Sequence, residues 1–310
     1  MPVAVGVIVD EVGRVLVARR AGDRHQGGLW EFPGGKLEAG ESVEAALARE
    51  LQEELGIRVR QSEPLIRIHH DYGDRRVLLE VRKVTAFEGE ACGREGQPLR
   101  WLAPADMQAA NFPAANRPII TALRLPPAYL ITGRFADATD FRQRLERALA
   151  EGAGLVQFRP RGELTEKEYA ALAGTGLEAC RQRGAIFLLN GVPELLDRHE
   201  ADGLHLNSHQ LMACEARPVP ADKWLCASVH DEQELAQANR IGVDFIVLSP
   251  VLPTASHPGA PTLGWERFAV LTEQAACPVY ALGGMQRSHL EQARARGAQG
   301  IASIGAFWGR

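Results

Sequence analysis

The sequence predicts an α/β protein of two domains, the second a closed (β/α)8 barrel. Three observations lead there. The chain has 310 residues, more than one hydrophobic core usually serves. Its second half alternates short apolar runs with amphipathic stretches over about 180 residues, the rhythm of a parallel sheet with crossover helices. Its first part carries a Gly-rich loop followed by a Glu-rich helical register. Hydrophobic residues make up 45% and charged residues 24%, as expected of a soluble globule.

In chain order, Val3–Val9 and Val15–Arg19 read as strands, with Pro2–Ile8 apolar but lacking the basic start of a signal peptide. Residues Arg20–Gly35 read as a polar and aromatic loop. Ser42 is placed to cap a helix that runs to Gly56, a natural C′ residue. Leu65–His70, Arg76–Val84 and Trp101–Leu102 read as strands, and Arg117–Leu123 as a short helix. Leu123–Pro127 (LRLPP) ends the region, its prolines suiting a linker. The domains are therefore expected at 1–125 and 128–310. Eight strands follow: Tyr129–Thr132, Leu155–Arg159, Ile186–Asn190, Gly203–Leu206, Leu225–His230, Phe245–Ser249, Val279–Leu282 and Gly300–Ile304. Eight such units suit a closed barrel; an open doubly wound sheet is the alternative.

Charge and cysteine usage exclude several classes. Divided after Leu125, the chain has 17 Lys+Arg against 18 Asp+Glu, then 18 against 21. Neither part has the basic excess that accompanies duplex nucleic acid. No apolar run approaches the ~18–20 residues that cross a bilayer. Five scattered cysteines without a CxxC pair suggest reduced thiols, a cytoplasmic location and no structural zinc.

The most specific pattern is Gly35-x5-Glu41-x7-Arg49-Glu50-Leu51-x-Glu53-Glu54-x-Gly56-Ile57. Glu50, Glu53 and Glu54 stand at i, i+3 and i+4, on one side of a helix. A solvated surface helix would intersperse lysines among them. Repelling carboxylates are relieved by a hard divalent cation, Mg²⁺ or alternatively Mn²⁺. The Gly34-Gly35 turn lets backbone approach the same ion, and Arg49 is suited to orient its acidic neighbours.

This pattern is the Nudix box, and the region resembles the MutT family of 8-oxo-dGTP diphosphatases. The resemblance extends through Leu16–Arg20, Trp30–Lys36, Arg94–Pro98 and Phe112–Pro118. It implies a Nudix α/β/α sandwich with a mixed sheet and hydrolysis of an oxidised purine nucleoside triphosphate to monophosphate and pyrophosphate. A role in DNA repair would then act on the nucleotide pool. The resemblance implies metal sites at Gly34, Glu50, Glu54 and Glu95, and leaves the general base open among Glu50, Glu53 and Glu95. Substrate-binding positions are Arg20, His25, Glu31, Phe32, Pro33, Gly34 and Asn116. Asn116 offers the donor and acceptor that an oxidised guanine edge requires, although by itself it would read as a turn before Pro118. Phe32 is expected on a pocket wall or in the core, and Tyr72 is a further candidate wall.

The second region resembles thiamine-phosphate synthases and the related TenI thiazole tautomerases. Tyr129–Thr132, Gln157–Arg161, Leu189–Gly191, Gly203–Leu206, Ala227–His230, Ser249–Thr254, Leu282–Met285 and Ala302–Gly305 carry that likeness. It implies a phosphorylated thiazole or thiamine ligand. Arg159 and Arg161 are suited to clamp anionic oxygens, and Gly283, Gly284 and Gly305 to present backbone N–H groups. Departures weigh against synthase chemistry. Gly191 follows Asn190 where an Asp is expected, and Asn207–Gln210 replaces an acidic segment, with His209 in the altered stretch. The position of a TenI-type histidine falls near Pro250, with His257 seven residues on. His230 belongs to a signature common to both groups. The barrel's chemistry is left open between a degenerate ligand-binding domain, a tautomerase and a synthase; thiamine-pathway pyrophosphate hydrolysis is the alternative for the first domain.

Overall fold

The computed structural model describes residues 1–21, 27–71, 73, 76–254, 259 and 261–309. The chain divides into two compact units, Met1–Arg124 and Leu125–Arg310.

The first unit contains β1 (Pro2–Ile8), β2 (Val15–Arg19), β3 (Trp30–Glu31), β4 (Gly34–Lys36), α1 (Val43–Leu55), β5 (Arg58–Asp71), β6 (Arg76–Glu88), β7 (Leu99–Leu102) and α2 (Arg117–Arg124). One sheet has the order β4-β1-β6-β5 and a second the order β3-β2-β7. β1 is parallel to β6 and antiparallel to β4, so the first sheet is mixed. Alternation along β1 divides two cores: Ala4 and Ile8 pack with Leu47, Leu51 and Leu55 of α1, while Val5 and Val7 join Phe32, Phe112 and Ile119. Gly6 permits this closeness, since a Cβ there would lie 3.1 Å from Leu51 Cδ1. The result is the α/β/α sandwich expected.

α1 begins and ends where its capping residues indicate. Ser42 accepts a hydrogen bond from Ala45 N, and Gly56 closes the helix at φ 74°. Two departures have a physical cause. The expected loop Arg20–Gly35 contains β3 and β4, strands too short to carry a periodic signal. β5 starts at Arg58 rather than near Leu65 because register shifts at Val59/Gln61, Gln61/Ser62 and Pro64/Ile66 interrupt the alternation that marks a strand.

The second unit is a closed barrel of eight parallel strands: β8 (Ala128–Ile131), β9 (Leu155–Phe158), β10 (Ile186–Asn190), β11 (Gly203–Leu206), β12 (Trp224–Val229), β13 (Phe245–Leu248), β14 (Val279–Ala281) and β15 (Gly300–Ser303). β15 pairs with β8 to close it, which excludes the open sheet. Tyr129, Leu188, Cys226, Phe245 and Tyr280 fill the interior, while side chains on the opposite strand faces, including Leu130, Val156 and Ile246, pack with the surrounding helices. Leu125–Pro127, within the stretch that reads as a linker, is built into the barrel's N-terminal end. Leu125 is 4% exposed. Its carbonyl accepts from Gln299 Nε2 at 2.6 Å, the Pro126 carbonyl from the Tyr280 hydroxyl, and the Pro127 carbonyl from Ile301 N at 3.0 Å.

Candidate active site

In the first unit the acidic helix lies against Gly34 and Gly35, which belong to strand β4 rather than to the turn expected, and both positions admit only glycine. Gly34 has φ 144°, and a Cβ there would meet the Ala4 carbonyl oxygen at 2.1 Å. A Cβ on Gly35 would occupy the Glu50 carboxyl group, 2.1 Å from its carbon. Successive residues on a helix turn by ~100°, so Glu54 lies ~40° to one side of Glu50 and Glu53 ~60° to the other. The three carboxylates therefore part company. Glu54 accepts a hydrogen bond from Gly34 N at 3.1 Å; Glu50 sits over Gly35; Glu53 is 62% exposed.

Arg49 organises two of these groups and one more. Its Nε and Nη2 donate to both Glu41 oxygens at 3.1 and 3.0 Å, Nη1 donates to Glu50 at 2.9 Å, and Nη2 also donates to the Lys36 carbonyl at 3.1 Å. Glu53 lies 3.6 Å from Nη1. The hydrogen bond from Arg49 holds Glu41 below the usual carboxylate range, and Glu41 and Glu50 raise Arg49 in return. Glu41 was legible as part of the motif, but its work as a clamp on Arg49 was not.

Glu54 faces a cleft of about 440 Å³ that is also lined by Arg20, Glu31, Phe32, Pro33, Gly34, Glu95 and Gln97. Burial pushes the Glu54 carboxyl up to about 7, and Glu31, Glu50 and Glu95 push in the same direction against the Gly34 hydrogen bond. Four acidic groups thus act on one another. Arg20 Nη1 donates to Glu31 at 2.8 Å, and its buried Nε has no partner among the described residues.

Hard oxygen donors that crowd one another suit Mg²⁺ or Mn²⁺. Among the described residues no group of three acidic, His or Cys side chains forms a cage for a metal ion on its own. Mg²⁺ commonly takes one or two carboxylates and fills its remaining positions with water and phosphate oxygen. The open arrangement of Glu54 and Glu95 beside the Gly34 backbone fits such an ion.

Phe32 lies in the core and at the edge of the cleft. It is 4% exposed, stacks on Phe112 at 5.7 Å between ring centroids, and still borders the cleft. Asn116, beyond the cleft wall itself, accepts a hydrogen bond from Phe32 N at 3.3 Å. His25 and Tyr72 lie outside the described residues, as does His257 of the barrel.

The barrel has its own cleft, of about 380 Å³, at the C-terminal ends of its strands. Arg159, Arg161 and Gly283 border it; Gly284 and Gly305 do not. Gly283 and Gly284 are required by packing as well. Both have positive φ, and added Cβ atoms would meet Pro250 Cα at 2.7 Å and the Pro253 carbonyl at 2.6 Å. Neither Arg159 nor Arg161 has an ion-pair partner among the described residues. Crowding by the cleft wall, and then the like charge of Arg161, lower Arg159 from its ordinary value. Below them Gln157 Nε2 donates to Asn190 Oδ1 at 2.7 Å. Buried His205 contacts the Tyr129 hydroxyl and Ser228 Oγ, both at 2.8 Å, and burial followed by the Arg159 charge lowers it to about 3, so it is uncharged. His230 borders the cleft with Nδ1 on Glu234 at 2.8 Å. It therefore opens to solvent at 44% side-chain exposure rather than filling the core. Gly191 adopts φ 151° with its Cβ position 2.6 Å from Leu195 Cδ1, so an aspartate there would be strained. His209 is exposed on the helix Ser208–Ala213.

The profile of the NUDIX domain matches residues 4–122, and that of the thiamine monophosphate synthase family matches residues 128–307. The 8-oxo-dGTP diphosphatase of Escherichia coli (strain K12) is 40% identical over 124 residues, covering 40% of this chain and 96% of that protein. A putative thiamine-phosphate synthase 2 of Aquifex aeolicus (strain VF5) is 32% identical over 185 residues, covering 60% of this chain and 99% of that one. Among solved structures, the thiamine phosphate pyrophosphorylase of Pyrococcus furiosus superimposes with a TM-score of 0.51 at 24% identity, covering 60% of this chain and 89% of the other. That last likeness concerns the barrel fold alone. No described helix is long and apolar enough to cross a membrane, and all five cysteines are free.

Proposed function

Because the chain belongs to the thiamine monophosphate synthase family through residues 128–307 and carries a NUDIX domain over residues 4–122, we propose a two-domain enzyme whose first domain hydrolyses 8-oxo-dGTP and related oxidised purine nucleoside triphosphates in the cytoplasm. The carrying observation is the cleft that Glu31, Glu54 and Glu95 line together with Phe32, where the charges of Glu31 and Glu95 act on Glu54. Glu54, Glu95 and the Gly34 backbone would hold Mg²⁺, with Glu50 adjacent. Bound Mg²⁺ supplies charge neutralisation and polarisation of phosphate oxygens. Arg49 keeps Glu50 oriented, and Glu50, Glu53 or Glu95 accepts the proton of the attacking water. Water then adds within the triphosphate, and the monophosphate and pyrophosphate leave. Such a reaction acts on free nucleotides, so protection of DNA would operate through the precursor pool.

Asn116 and Phe32 would read the base together. The Asn116 carbonyl steadies the backbone of the residue that forms the pocket wall, leaving its amide N–H groups for the purine edge. Asn116→Ala should lower the ratio of kcat/KM for 8-oxo-dGTP over dGTP roughly tenfold, the worth of one lost polar contact, with a smaller change on dGTP alone. A steady-state panel of 8-oxo-dGTP, dGTP and thiamine diphosphate tests both claims. An unchanged ratio would remove Asn116 from base reading; preference for thiamine diphosphate would replace the nucleotide reading altogether.

For the barrel, Arg159 and Arg161 at the mouth, without an ion-pair partner among the described residues, favour a small phosphate-bearing ligand of the thiazole or thiamine type. The expected synthase carboxylates are absent at Gly191 and in Asn207–Gln210, so binding without efficient thiamine-phosphate formation is the supported reading. Arg159→Ala should weaken thiazole phosphate binding roughly tenfold in calorimetry. No heat from the parent protein with thiazole phosphate, thiamine phosphate or pyrophosphate would sink the ligand-binding reading.

A further inference from the structure

Glu95 lies on a loop, and a loop by itself holds a carboxylate poorly. Ligand groups act well when their own position is set by surrounding hydrogen bonds. The segment Gly93–Pro98 is fastened to the end of α1 by several such bonds. Arg94 N and Gln97 Nε2 both donate to the Glu54 carbonyl at 3.0 Å. Gln97 Oε1 accepts from Glu95 N at 2.9 Å. The Gln97 amide thus spans from the backbone of Glu95 to the backbone of Glu54, the two residues whose carboxylates border the same cleft. The loop is tightly closed: a Cβ on Gly93 would lie 2.0 Å from the Gln97 backbone carbonyl oxygen and 3.0 Å from Gln97 Oε1, and Gly96 turns with φ 79°.

We propose that Gln97 is a positioning residue that couples Glu95 to the last turn of α1 and thereby sets the two carboxylates for one divalent cation. In this reading Gln97 supplies neither a ligand to the ion nor a base for the attacking water. The two ends of its one side-chain amide are engaged with the backbone of Glu95 and Glu54, so its influence reaches the cation through the placement of Glu95 relative to Glu54. The inference rests on the reading of Glu95 as a ligand, and that dependence gives the test its form.

The experiment is a Mn²⁺ titration of the full chain by electron paramagnetic resonance, with kcat and KM for 8-oxo-dGTP in Mg²⁺ measured alongside. The variants are Gln97→Ala, Gln97→Met, which keeps the volume without the polar groups, Glu95→Gln, and Gln97→Met combined with Glu95→Gln. Gln97→Ala and Gln97→Met should each weaken Mn²⁺ binding roughly tenfold or more, the usual cost of losing an outer partner of a metal ligand. The double variant should bind no more weakly than Glu95→Gln alone, because Gln97 acts through Glu95. If folded Gln97→Met binds Mn²⁺ like the parent, or if its effect adds fully to that of Glu95→Gln, the positioning role is wrong while Glu95 stands as a ligand. If Glu95→Gln itself leaves Mn²⁺ affinity unchanged, the ligand reading of Glu95 falls and this inference falls with it.

Discussion

Glu54→Gln should reduce turnover of the nucleotide by about three orders of magnitude while the protein stays folded. A carboxylate at a phosphate-hydrolysing centre contributes several kcal/mol of charge stabilisation, and the amide has the same shape without the charge. The same variant carries a pH signature. Burial and three acidic neighbours raise the Glu54 carboxyl to about 7 in the fold, against an ordinary value of 4.5. The folded state therefore holds the Glu54 proton more tightly than the unfolded state. Without metal, this contribution to stability is complete below about pH 4.5 and disappears as the pH rises through about 7. Glu54→Gln should flatten the loss of Tm between pH 5 and pH 8 in chelator, and Mg²⁺ should raise the parent's Tm more at pH 8 than at pH 5. Calorimetric scans with and without Mg²⁺, together with initial rates, check both parts. A folded variant with near-parent turnover in Mg²⁺ would show that the metal is held elsewhere.

Gly34→Ala should lower the stability of the first unit by about 3 kcal/mol, the scale of forced backbone strain joined to a steric clash. The strain has two parts: φ 144° is a region that L side chains rarely adopt, and the new Cβ would strike the Ala4 carbonyl at 2.1 Å. Because that carbonyl belongs to β1, relief requires β4 to move from its partner. The Gly34 N–H bond to Glu54 at 3.1 Å would move with it, so activity in the remaining folded protein should fall as well. Amide hydrogen exchange across β1 and β4, measured with the barrel strands as internal control, reads the effect directly. Parent-like protection of Val3–Val5 would mean that β4 accepts a side chain at Gly34.

Much of this architecture could be read along the chain because local chemistry and tertiary need coincide. Ser42 and Gly56 bracket α1, whose caps depend on residues a few positions apart. The eight barrel strands announce themselves as short apolar runs because each is buried on both faces. β3 and β4 gave no such signal, being two and three residues long, and bulges concealed the first half of β5. In the candidate site, Arg20, Glu31, Phe32, Pro33, Gly34, Glu54 and Glu95 are gathered around one cleft. Gln97 lies within Arg94–Pro98, a stretch that carries the resemblance, but the bond of its side chain to the carbonyl of a residue 43 positions away could not be read there.

The order of residues by itself determined the two domains, the acidic helix and the demand for glycine before it. These follow from periodicity, like-charge crowding and backbone sterics, which are local or repeat at fixed spacing. Only the tertiary structure decided which carboxylate faces the cleft. Glu50, Glu53 and Glu54 are neighbours on one helix, yet Arg49 and the space above Gly35 draw Glu50 one way, solvent takes Glu53, and Gly34 with burial turns Glu54 toward Glu31 and Glu95. The same is true of Leu125–Pro127. Two prolines favour a break in the helix, but the hydrogen bonds from Tyr280, Gln299 and Ile301 that build this stretch into the barrel come from more than 150 residues further along the chain, where no local pattern reaches.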